Sequence, residues 1–361
     1  MKIHNQYMTV EGPKVEEERT FTAKDFSNGS PVKWCPGCGD YAVLNSLQKA
    51  MAEVRVAPEN IAVISGIGCS SRLPYYMNAY GMHSIHGRAA AIATGVKVAN
   101  PNLSVWVMTG DGDSMAIGGN HFIHFIRRNV DLNVVLFNNR IYGLTKGQYS
   151  PTSPRGFKSK TSPFGTVEDP FVAGELVFGA RGTFFARSLE VEMELLKECM
   201  VAAHNHKGAS VIEALTNCVI FNNGIHKVYS DREVRADKTI ILRHGEKMIY
   251  GKDKNKGIVL DGLTLKSVTI GEDGYTEDDI LVHDAHAQSP VLHSMLAMMH
   301  ETDPSLPLAM GIIRDVEAPA YDREVALQME REAEKLPENH SFQDYLNRLA
   351  SWEVKGSKLK K

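Results

Sequence analysis

Acidic and amide side chains occur at two places in the sequence where they could hold a metal-bound phosphate group. The run Gly110-Asp111-Gly112-Asp113 follows one apolar segment, and Asn138 and Asn139 follow the next. Carboxylate, amide and backbone carbonyl oxygens are hard ligands that suit Mg²⁺, with phosphate oxygens and water completing the octahedron. Glycines let the backbone approach a ligand closely, and the start of a helix favours an anion. The alternative is that the aspartates cap a helix and Asn139 forms a turn.

The cysteines are the second group of residues that could do chemistry. Cys35 and Cys38 form a C-x-x-C turn, Cys69 and Cys218 each follow an apolar segment, and Cys199 lies within a predicted helix. Thiolates from a turn and from two strand ends can meet at one point, where four of them would hold a [4Fe–4S] cluster or Zn²⁺. Because a cysteine within an amphipathic helix is usually a small buried apolar side chain, we predict that Cys199 is left out.

These residues require a scaffold that places the ends of several strands side by side. Short apolar runs predict strands, and alanine-rich or helically spaced segments predict helices. The predicted strands are 61–65, 103–108, 132–137 and 209–215, and the predicted helices are 86–100, 114–129 and 189–206. This alternation predicts an α/β fold with a doubly wound parallel sheet. A right-handed crossover would then bring Asp111 and Asn139 to the same carboxyl edge, where ligands bind.

The pattern changes along the chain and predicts three regions. They are an N-terminal arm over residues 1–30, a ligand-binding domain over 31–230 and an α+β C-terminal extension over 231–361. Within the extension we expect short strands or loops over 238–268, and helices over 289–301 and 322–335.

Composition excludes several classes of protein. The chain has 361 residues, of which 43% are hydrophobic and 23% charged, so wholesale disorder is excluded. No apolar run approaches the ~18 residues of a membrane span, and the polar N-terminus lacks a secretory signal. A net charge of -3 argues against a global basic field for nucleic acid. Five cysteines argue against a disulfide framework. We therefore predict a cytoplasmic protein that binds neither nucleic acid nor a membrane.

The spacing of the two polar motifs resembles that of a known cofactor motif. Gly110-Asp111-Gly112, followed by Asn139 28 residues after Asp111, is similar to the thiamine diphosphate motif. The continuation from Asn139 to Gln148, then Ser150-Pro151-Thr152, resembles the β subunit of 2-oxoacid:ferredoxin oxidoreductases, as does His86-Gly87-Arg88. The resemblance is strongest over about residues 30–225.

The resemblance implies a set of site residues. Mg²⁺ would be held by Asp111, Asn139 and the Ile141 carbonyl, and one [4Fe–4S] cluster would be held by Cys35, Cys38, Cys69 and Cys218. The residues expected to line thiamine diphosphate are Ile67, Gly68, Cys69, His86, Gly87, Gly110, Asp111, Gly112, Asp113, Asn139, Ile141, Gly143, Leu144 and Thr145. Catalytic roles are expected for His86, for Lys146, which would hold a substrate carboxylate, and for Arg72, which would act on the substrate or tune the cluster.

One residue type is missing from the predicted site. Thiamine diphosphate chemistry uses a glutamate on the aminopyrimidine ring, and no glutamate occurs from Asn60 to Val167. In the family that this chain resembles, a separate α subunit supplies the glutamate, so we expect an obligate α partner in a heterodimer or an α2β2 assembly. The coenzyme A site would lie on the partner or at the interface. The segment Leu132 to Val167 is basic, which suits an anionic substrate, an acidic face of the partner or merely solvent.

The resemblance also implies a reaction. It is the oxidative decarboxylation of a 2-oxoacid with coenzyme A, with electrons passing through the cluster to ferredoxin, and it is reversible as CO2 fixation. His283-Asp284-Ala285 and the segment Pro307 to Tyr321 resemble the tail of longer β subunits, mostly of 2-oxoglutarate enzymes, so the expected product is succinyl-CoA. The alternatives are pyruvate or another 2-oxoacid as substrate, a non-redox thiamine diphosphate decarboxylase or carboligase, and a zinc-binding protein without catalysis.

Overall fold

The computed structural model describes residues 12–16, 19–335 and 341–347. The first part of the predicted N-terminal arm, up to residue 11, therefore lies outside the described residues. Within the described ranges, no helix has both the length and the apolarity needed to cross a membrane.

A single large sheet forms the centre of the chain, with a small sheet beside it. The strands, numbered along the chain, are β1 (Ile61–Ser65), β2 (Tyr80–His83), β3 (Ser104–Gly110), β4 (Leu132–Asn138), β5 (Phe184–Leu189), β6 (Ala209–Leu215), β7 (Thr239–Leu242), β8 (Ile249–Tyr250), β9 (Lys256–Asp261), β10 (Thr264–Thr269) and β11 (Leu308–Asp315). The large sheet has eight strands in the order β2-β1-β3-β4-β6-β5-β11-β7, and β8, β9 and β10 form the small antiparallel sheet.

The large sheet is parallel over its first six strands. The α/β class with a doubly wound, mostly parallel sheet is thus confirmed. The last two strands differ, because β11 pairs antiparallel with β5 and parallel with β7. Both reversed strands come from the predicted C-terminal extension, so part of that extension completes the central sheet. The division at residue 230 stays a prediction.

Helices cover both faces of the large sheet. They are α1 (Asp40–Val54), α2 (Ala89–Ala99), α3 (Gly119–Arg128), α4 (Ala173–Gly179), α5 (Met193–Asn205), α6 (Lys227–Ser230), α7 (Arg235–Lys238), α8 (Val291–Thr302), α9 (Tyr321–Ala333) and α10 (Phe342–Asn347). One hydrophobic core lies under α1 and α5, and a second lies under α2, α3, α4 and α8. Because both faces are covered, every residue of β1, β4, β5 and β6 is buried.

The predicted elements agree with the structure except at two places. The strands at 61–65 and 209–215 have the predicted bounds. The helix predicted for 189–206 is wrong at its start, because β5 ends at Leu189 and α5 begins at Met193. Arg187 disguises β5 in the sequence, since a charge in an apolar run argues against a buried strand. The helix predicted for 114–129 is divided into a π-helical turn over Asp113–Ile117 and α3.

Candidate functional site

One cavity opens at the carboxyl ends of β1, β3 and β4. Its walls contain every residue predicted to line the cofactor except Gly87: Ile67, Gly68, Cys69, His86, Gly110, Asp111, Gly112, Asp113, Asn139, Ile141, Gly143, Leu144 and Thr145. Ser70, Phe137 and Tyr142 also line it, and the sequence analysis did not identify them. The parallel crossover between β3 and β4 is what brings the two polar motifs to one cavity.

Asp111 is buried and its carboxylate is held by hydroxyl groups. Oδ2 accepts hydrogen bonds of 2.5 Å from Ser150 Oγ and of 2.5 Å from Thr152 Oγ1. Burial raises the pKa of Asp111 to about 6, against the lowering effect of these hydroxyl donors. A bound cation would favour the ionised form of this carboxylate.

The oxygens of Asn139 and Ile141 complete a possible metal site beside Asp111. Asn139 Oδ1 accepts a 3.1 Å hydrogen bond from the Ile141 amide, which fixes the turn after β4. Within the described ranges, the carbonyl oxygen of Ile141 accepts no hydrogen bond and is free to bind a ligand. One carboxylate, one amide oxygen and one carbonyl at the same cavity are a donor set that fits Mg²⁺ with a diphosphate.

Asp113 organises the loops around the cavity. Its Oδ1 accepts hydrogen bonds from His86 Nδ1 at 2.5 Å, from the Gly87 amide at 2.7 Å and from the Ile67 amide at 3.0 Å. Its Oδ2 accepts one from Thr109 Oγ1 at 2.7 Å. The carboxylate lines the cavity, yet both of its oxygens are committed to the protein. Its main effect is to fix the loop after β1 and the loop before α2.

Gly112 is required for space rather than for backbone conformation. Its φ of -69° and ψ of -35° are open to any residue. A Cβ atom at this position would lie 2.2 Å from Cε1 of Tyr142. The tyrosine hydroxyl donates a 2.9 Å hydrogen bond to the Gly112 carbonyl, and its ring packs edge-on against His86 at 6.1 Å. Burial raises the pKa of Tyr142 to about 12, so it stays a neutral donor.

Four of the cysteines lie on loops that are joined to one another by hydrogen bonds. Trp34 Nε1 donates a 2.7 Å hydrogen bond to the Cys69 carbonyl, which joins the C-x-x-C turn to the loop after β1. The Gly39 amide donates to the Asn217 carbonyl at 3.1 Å, which joins the same turn to the Cys218 loop. A Cβ on Gly143 would lie 3.4 Å from Cys218 Sγ and 3.7 Å from Cys69 Sγ. The cysteine loops therefore meet the cavity at Gly143 and Cys69.

The arrangement of the thiols bears on which metal they could hold. Among residues 12–16, 19–335 and 341–347, no three His, Cys, Asp or Glu side chains are placed to share one metal ion. A tetrahedral Zn²⁺ site needs its four ligands around one ion. In a [4Fe–4S] cluster each cysteine binds a different iron, so the thiols surround a larger space. A cluster therefore asks for wider spacing of its four thiols than a single zinc ion does.

The environment of the thiols is largely buried, and Cys199 lies apart from it. Burial raises the pKa of Cys69 to about 12 and also raises the pKa of Cys38, and a bound metal would favour the ionised thiolates. Cys35 is exposed on its turn, which gives the group a route to the surface. Cys199 is fully buried in the hydrophobic core under α5, as predicted for a structural residue.

The three predicted catalytic residues occupy different positions. His86 lines the cavity. Arg72 lines an adjoining cavity, together with His83 and Tyr75, and its Nε donates a 3.1 Å hydrogen bond to the hydroxyl of Tyr76. Lys146 is exposed at a positive φ of 80° in the turn after Thr145, and it lines neither cavity.

The sequence analysis missed polar groups behind the cavity. Asn138 Nδ2 donates a 2.7 Å hydrogen bond to Glu213, and Glu213 forms a buried 2.6 Å ion pair with Arg187. Asn222 Nδ2 donates to the carbonyls of Asn139 and Arg140 at 3.0 and 3.2 Å. The sequence did contain a signal for these groups, because Arg187 and Glu213 carry opposite charges and each lies in an otherwise apolar run.

Comparison with known proteins defines first the class of domain. Residues 66–214 match the family model described as "Thiamine pyrophosphate enzyme, C-terminal TPP binding domain". This range begins directly after β1 and contains β3, β4 and all the residues that line the cavity described above.

The similarity to individual proteins extends further along the chain. The chain is 45% identical over 300 residues to the 2-oxoglutarate oxidoreductase subunit KorB of Mycobacterium tuberculosis, covering 83% of this chain and 79% of that one. It is 47% identical over 233 residues to the 2-oxoglutarate synthase subunit KorB of Methanothermobacter thermautotrophicus, covering 64% and 82%. A solved 2-oxoglutarate:ferredoxin oxidoreductase from Magnetococcus marinus matches with a TM-score of 0.73 and 31% identity, covering 94% of this chain and 100% of that one.

The chain belongs to the family of 2-oxoacid:ferredoxin oxidoreductase β subunits. The resemblance inferred from the motifs is thus confirmed, as is the expectation of an oxidoreductase with a thiamine diphosphate-binding fold.

Proposed function

We propose that this chain is the β subunit of an enzyme that converts 2-oxoglutarate and coenzyme A to succinyl-CoA and CO2, passing electrons to ferredoxin. The reaction is reversible as CO2 fixation. The observation that carries the proposal is a shared wall: Cys69 and Gly143 line the cavity that holds Asp111, and Gly143 lies against the thiols of Cys69 and Cys218. A cofactor that releases electrons and a group that accepts them would therefore be neighbours.

The cavity residues would hold thiamine diphosphate through Mg²⁺. Asp111, Asn139 and the Ile141 carbonyl would bind the ion, and the turn Gly143-Leu144-Thr145 would lie against the cofactor. When bound, thiamine diphosphate supplies the nucleophilic carbon and the electron sink for decarboxylation. His86 is held by Asp113 with its Nδ1 engaged, so its other ring nitrogen is the one available to the substrate or cofactor.

The four cysteines Cys35, Cys38, Cys69 and Cys218 would hold one [4Fe–4S] cluster. Iron–sulfur clusters carry one electron at a time, which suits transfer to ferredoxin. The three loops that carry these cysteines are joined by hydrogen bonds, and Gly143 lies against the thiols of Cys69 and Cys218, which supports the assignment.

The identity of the substrate rests on cationic side chains near the cavity. 2-Oxoglutarate carries a second carboxylate, which pyruvate lacks. Arg72 lies next to the cavity, and its two terminal nitrogens make no hydrogen bond to any described residue. Lys146 follows the cavity residue Thr145, and its side-chain ammonium likewise makes no hydrogen bond or ion pair within the described ranges. We assign the distal carboxylate to these two cations, with Lys146 as the principal contact.

A partner subunit is part of the proposal. The relatives are named as β subunits or as subunits KorB, which implies an α subunit. The cavity walls contain no glutamate for the aminopyrimidine ring, so the α subunit would supply it. The coenzyme A site would lie on that subunit or between the two. The cytoplasmic location predicted from the sequence belongs to the same proposal.

The decisive experiment is an anaerobic analysis of the chain co-expressed with its α subunit. We expect about four irons per β chain, bound thiamine diphosphate and a visible band that bleaches on addition of 2-oxoglutarate and coenzyme A. Asp111→Asn should lose thiamine diphosphate and keep its iron. A protein with zinc in place of iron would refute the electron path, and would favour the non-redox decarboxylase. If pyruvate with coenzyme A bleaches the band and 2-oxoglutarate with coenzyme A does not, the choice of substrate is refuted.

A further inference from the structure

A chain of polar side-chain contacts runs from the centre of the sheet to the proposed metal ligand. Arg187 and Glu213 are cross-strand neighbours on β5 and β6, and Glu213 pairs with Leu136 on β4, two residues before Asn138. Side chains two residues apart on a strand share a face, so the three polar groups lie on one side of the sheet. Arg187 Nε donates to Glu213 Oε2 at 2.6 Å, and Asn138 Nδ2 donates to Oε1 at 2.7 Å.

Thr152 connects this group to Asp111. Its Oγ1 lies 2.5 Å from Asp111 Oδ2 and 3.0 Å from Asn138 Oδ1. The hydroxyl has one proton and donates it to the nearer, charged oxygen when Asp111 is ionised. Asn138 therefore packs against the hydroxyl that orients the carboxylate. All four residues from Glu213 to Asp111 are at most 3% exposed.

A contribution to stability does not by itself explain why this ion pair is buried. Two buried charges lose their hydration, and replacing such a pair with apolar side chains is often neutral or stabilising. Arg187 is anchored further by the carbonyls of Ala297 in α8, at 3.2 Å, and Ala309 in β11, at 3.4 Å. Arg187 thus balances the charge of Glu213 at Oε2, while Oε1 accepts the hydrogen bond from Asn138.

We propose that Glu213 is a positioning residue for the metal site, acting through the acceptor oxygen that it presents to Asn138, and from there through Thr152 on Asp111. Groups bonded directly to a metal ligand typically change metal affinity 10–100-fold; Glu213 acts from two side chains further away, so we expect the lower end of that range. The inference rests on the proposed function, because it takes Asp111 as a ligand of Mg²⁺.

Two double variants of the complex with the α subunit test the inference. Arg187→Met/Glu213→Leu removes both charges and the acceptor for Asn138. Arg187→Met/Glu213→Gln removes both charges and retains an acceptor, so it is the matched control. Neither variant leaves an unpaired buried charge, so we expect both variants to fold. The readout is the binding of Mn²⁺ in the presence of thiamine diphosphate, measured by electron paramagnetic resonance.

We expect Mn²⁺ binding about tenfold weaker in the leucine variant, and within about twofold of the parent in the glutamine variant. A general structural role would weaken both equally, and that result, or parental binding in both, would overturn the inference. Asp111→Asn distinguishes an error in the proposed metal site from an error in the positioning role of Glu213. If it leaves Mn²⁺ binding intact, the proposed metal site itself is wrong; if it abolishes binding while the leucine variant does not weaken it, only the positioning role is wrong.

Discussion

Gly112→Ala tests whether the cofactor loop depends on the space that glycine leaves for Tyr142. An alanine Cβ would lie 2.2 Å from Cε1 and 2.4 Å from Cζ of the tyrosine ring. Non-bonded carbons are comfortable at about 3.5 Å, so the ring would have to move by roughly 1 Å. That movement stretches the 2.9 Å hydrogen bond from the tyrosine hydroxyl to the Gly112 carbonyl and disturbs the contact with His86.

The expected cost follows from these two effects. Overpacking of a buried site costs about 1–3 kcal/mol, and the lost hydrogen bond adds about 1 kcal/mol. Because Tyr142 directly follows Ile141 in the proposed metal loop, we expect at least about 2 kcal/mol of this cost to reduce cofactor affinity. That loss corresponds to roughly 30-fold weaker binding of thiamine diphosphate. It would be measured by fluorescence titration of the complex with the α subunit at fixed Mg²⁺.

Tyr142→Ala supplies the control. It removes the ring, so adding Gly112→Ala to it should cost little further affinity, and the double-mutant cycle should show strong coupling between the two positions. The reasoning is refuted if Gly112→Ala binds the cofactor like the parent. It is also refuted if the two substitutions weaken binding additively, because the alanine would then act on the cofactor directly.

Three further predictions concern the cysteines, a buried histidine and the substrate. Cys218→Ala should lower the iron content of the anaerobic complex, whereas Cys199→Ala should leave it unchanged; the reverse outcome would exchange their roles. Burial lowers the pKa of His204 to about 4 from 6.5, so its neutral form stabilises the fold above pH 6.5, and this stability is lost as the pH falls towards 4. Between pH 7 and 5 this loss lowers the free energy of unfolding by about 2 kcal/mol. In His204→Gln the free energy of unfolding, measured by denaturation, should fall by about 2 kcal/mol less between these two pH values than in the parent. A fall as large as that of the parent would contradict the prediction. Lys146→Met should raise KM for 2-oxoglutarate about tenfold without changing KM for pyruvate, and equal effects on both substrates would exclude a contact with the distal carboxylate.

The sequence by itself determined the class of fold and most of the residues that line the cavity, although not Ser70, Phe137 or Tyr142. Strands β1 and β6 have the predicted bounds because an apolar run between turn residues is a local signal. Asp111 and Asn139 could be placed at one edge because a parallel crossover has a fixed hand, whatever the details of packing. The motif around them was specific enough to indicate the family, which the comparisons confirm.

Tertiary structure alone decided which partner each polar group takes. The sequence could not show that β7 and β11 run against the other strands, because their order depends on contacts between segments far apart in the chain. Nor could it show that Gly112 makes room for a ring 30 residues away, or that Asp113 binds two loops in place of a ligand. Arg187 made β5 hard to recognise, because a charged residue argues against a buried strand. The strand can be buried because Glu213 balances this charge, and only the register of β5 against β6 brings the two residues together. Register and packing are set by non-local contacts, and local patterns of residue type carry no record of them.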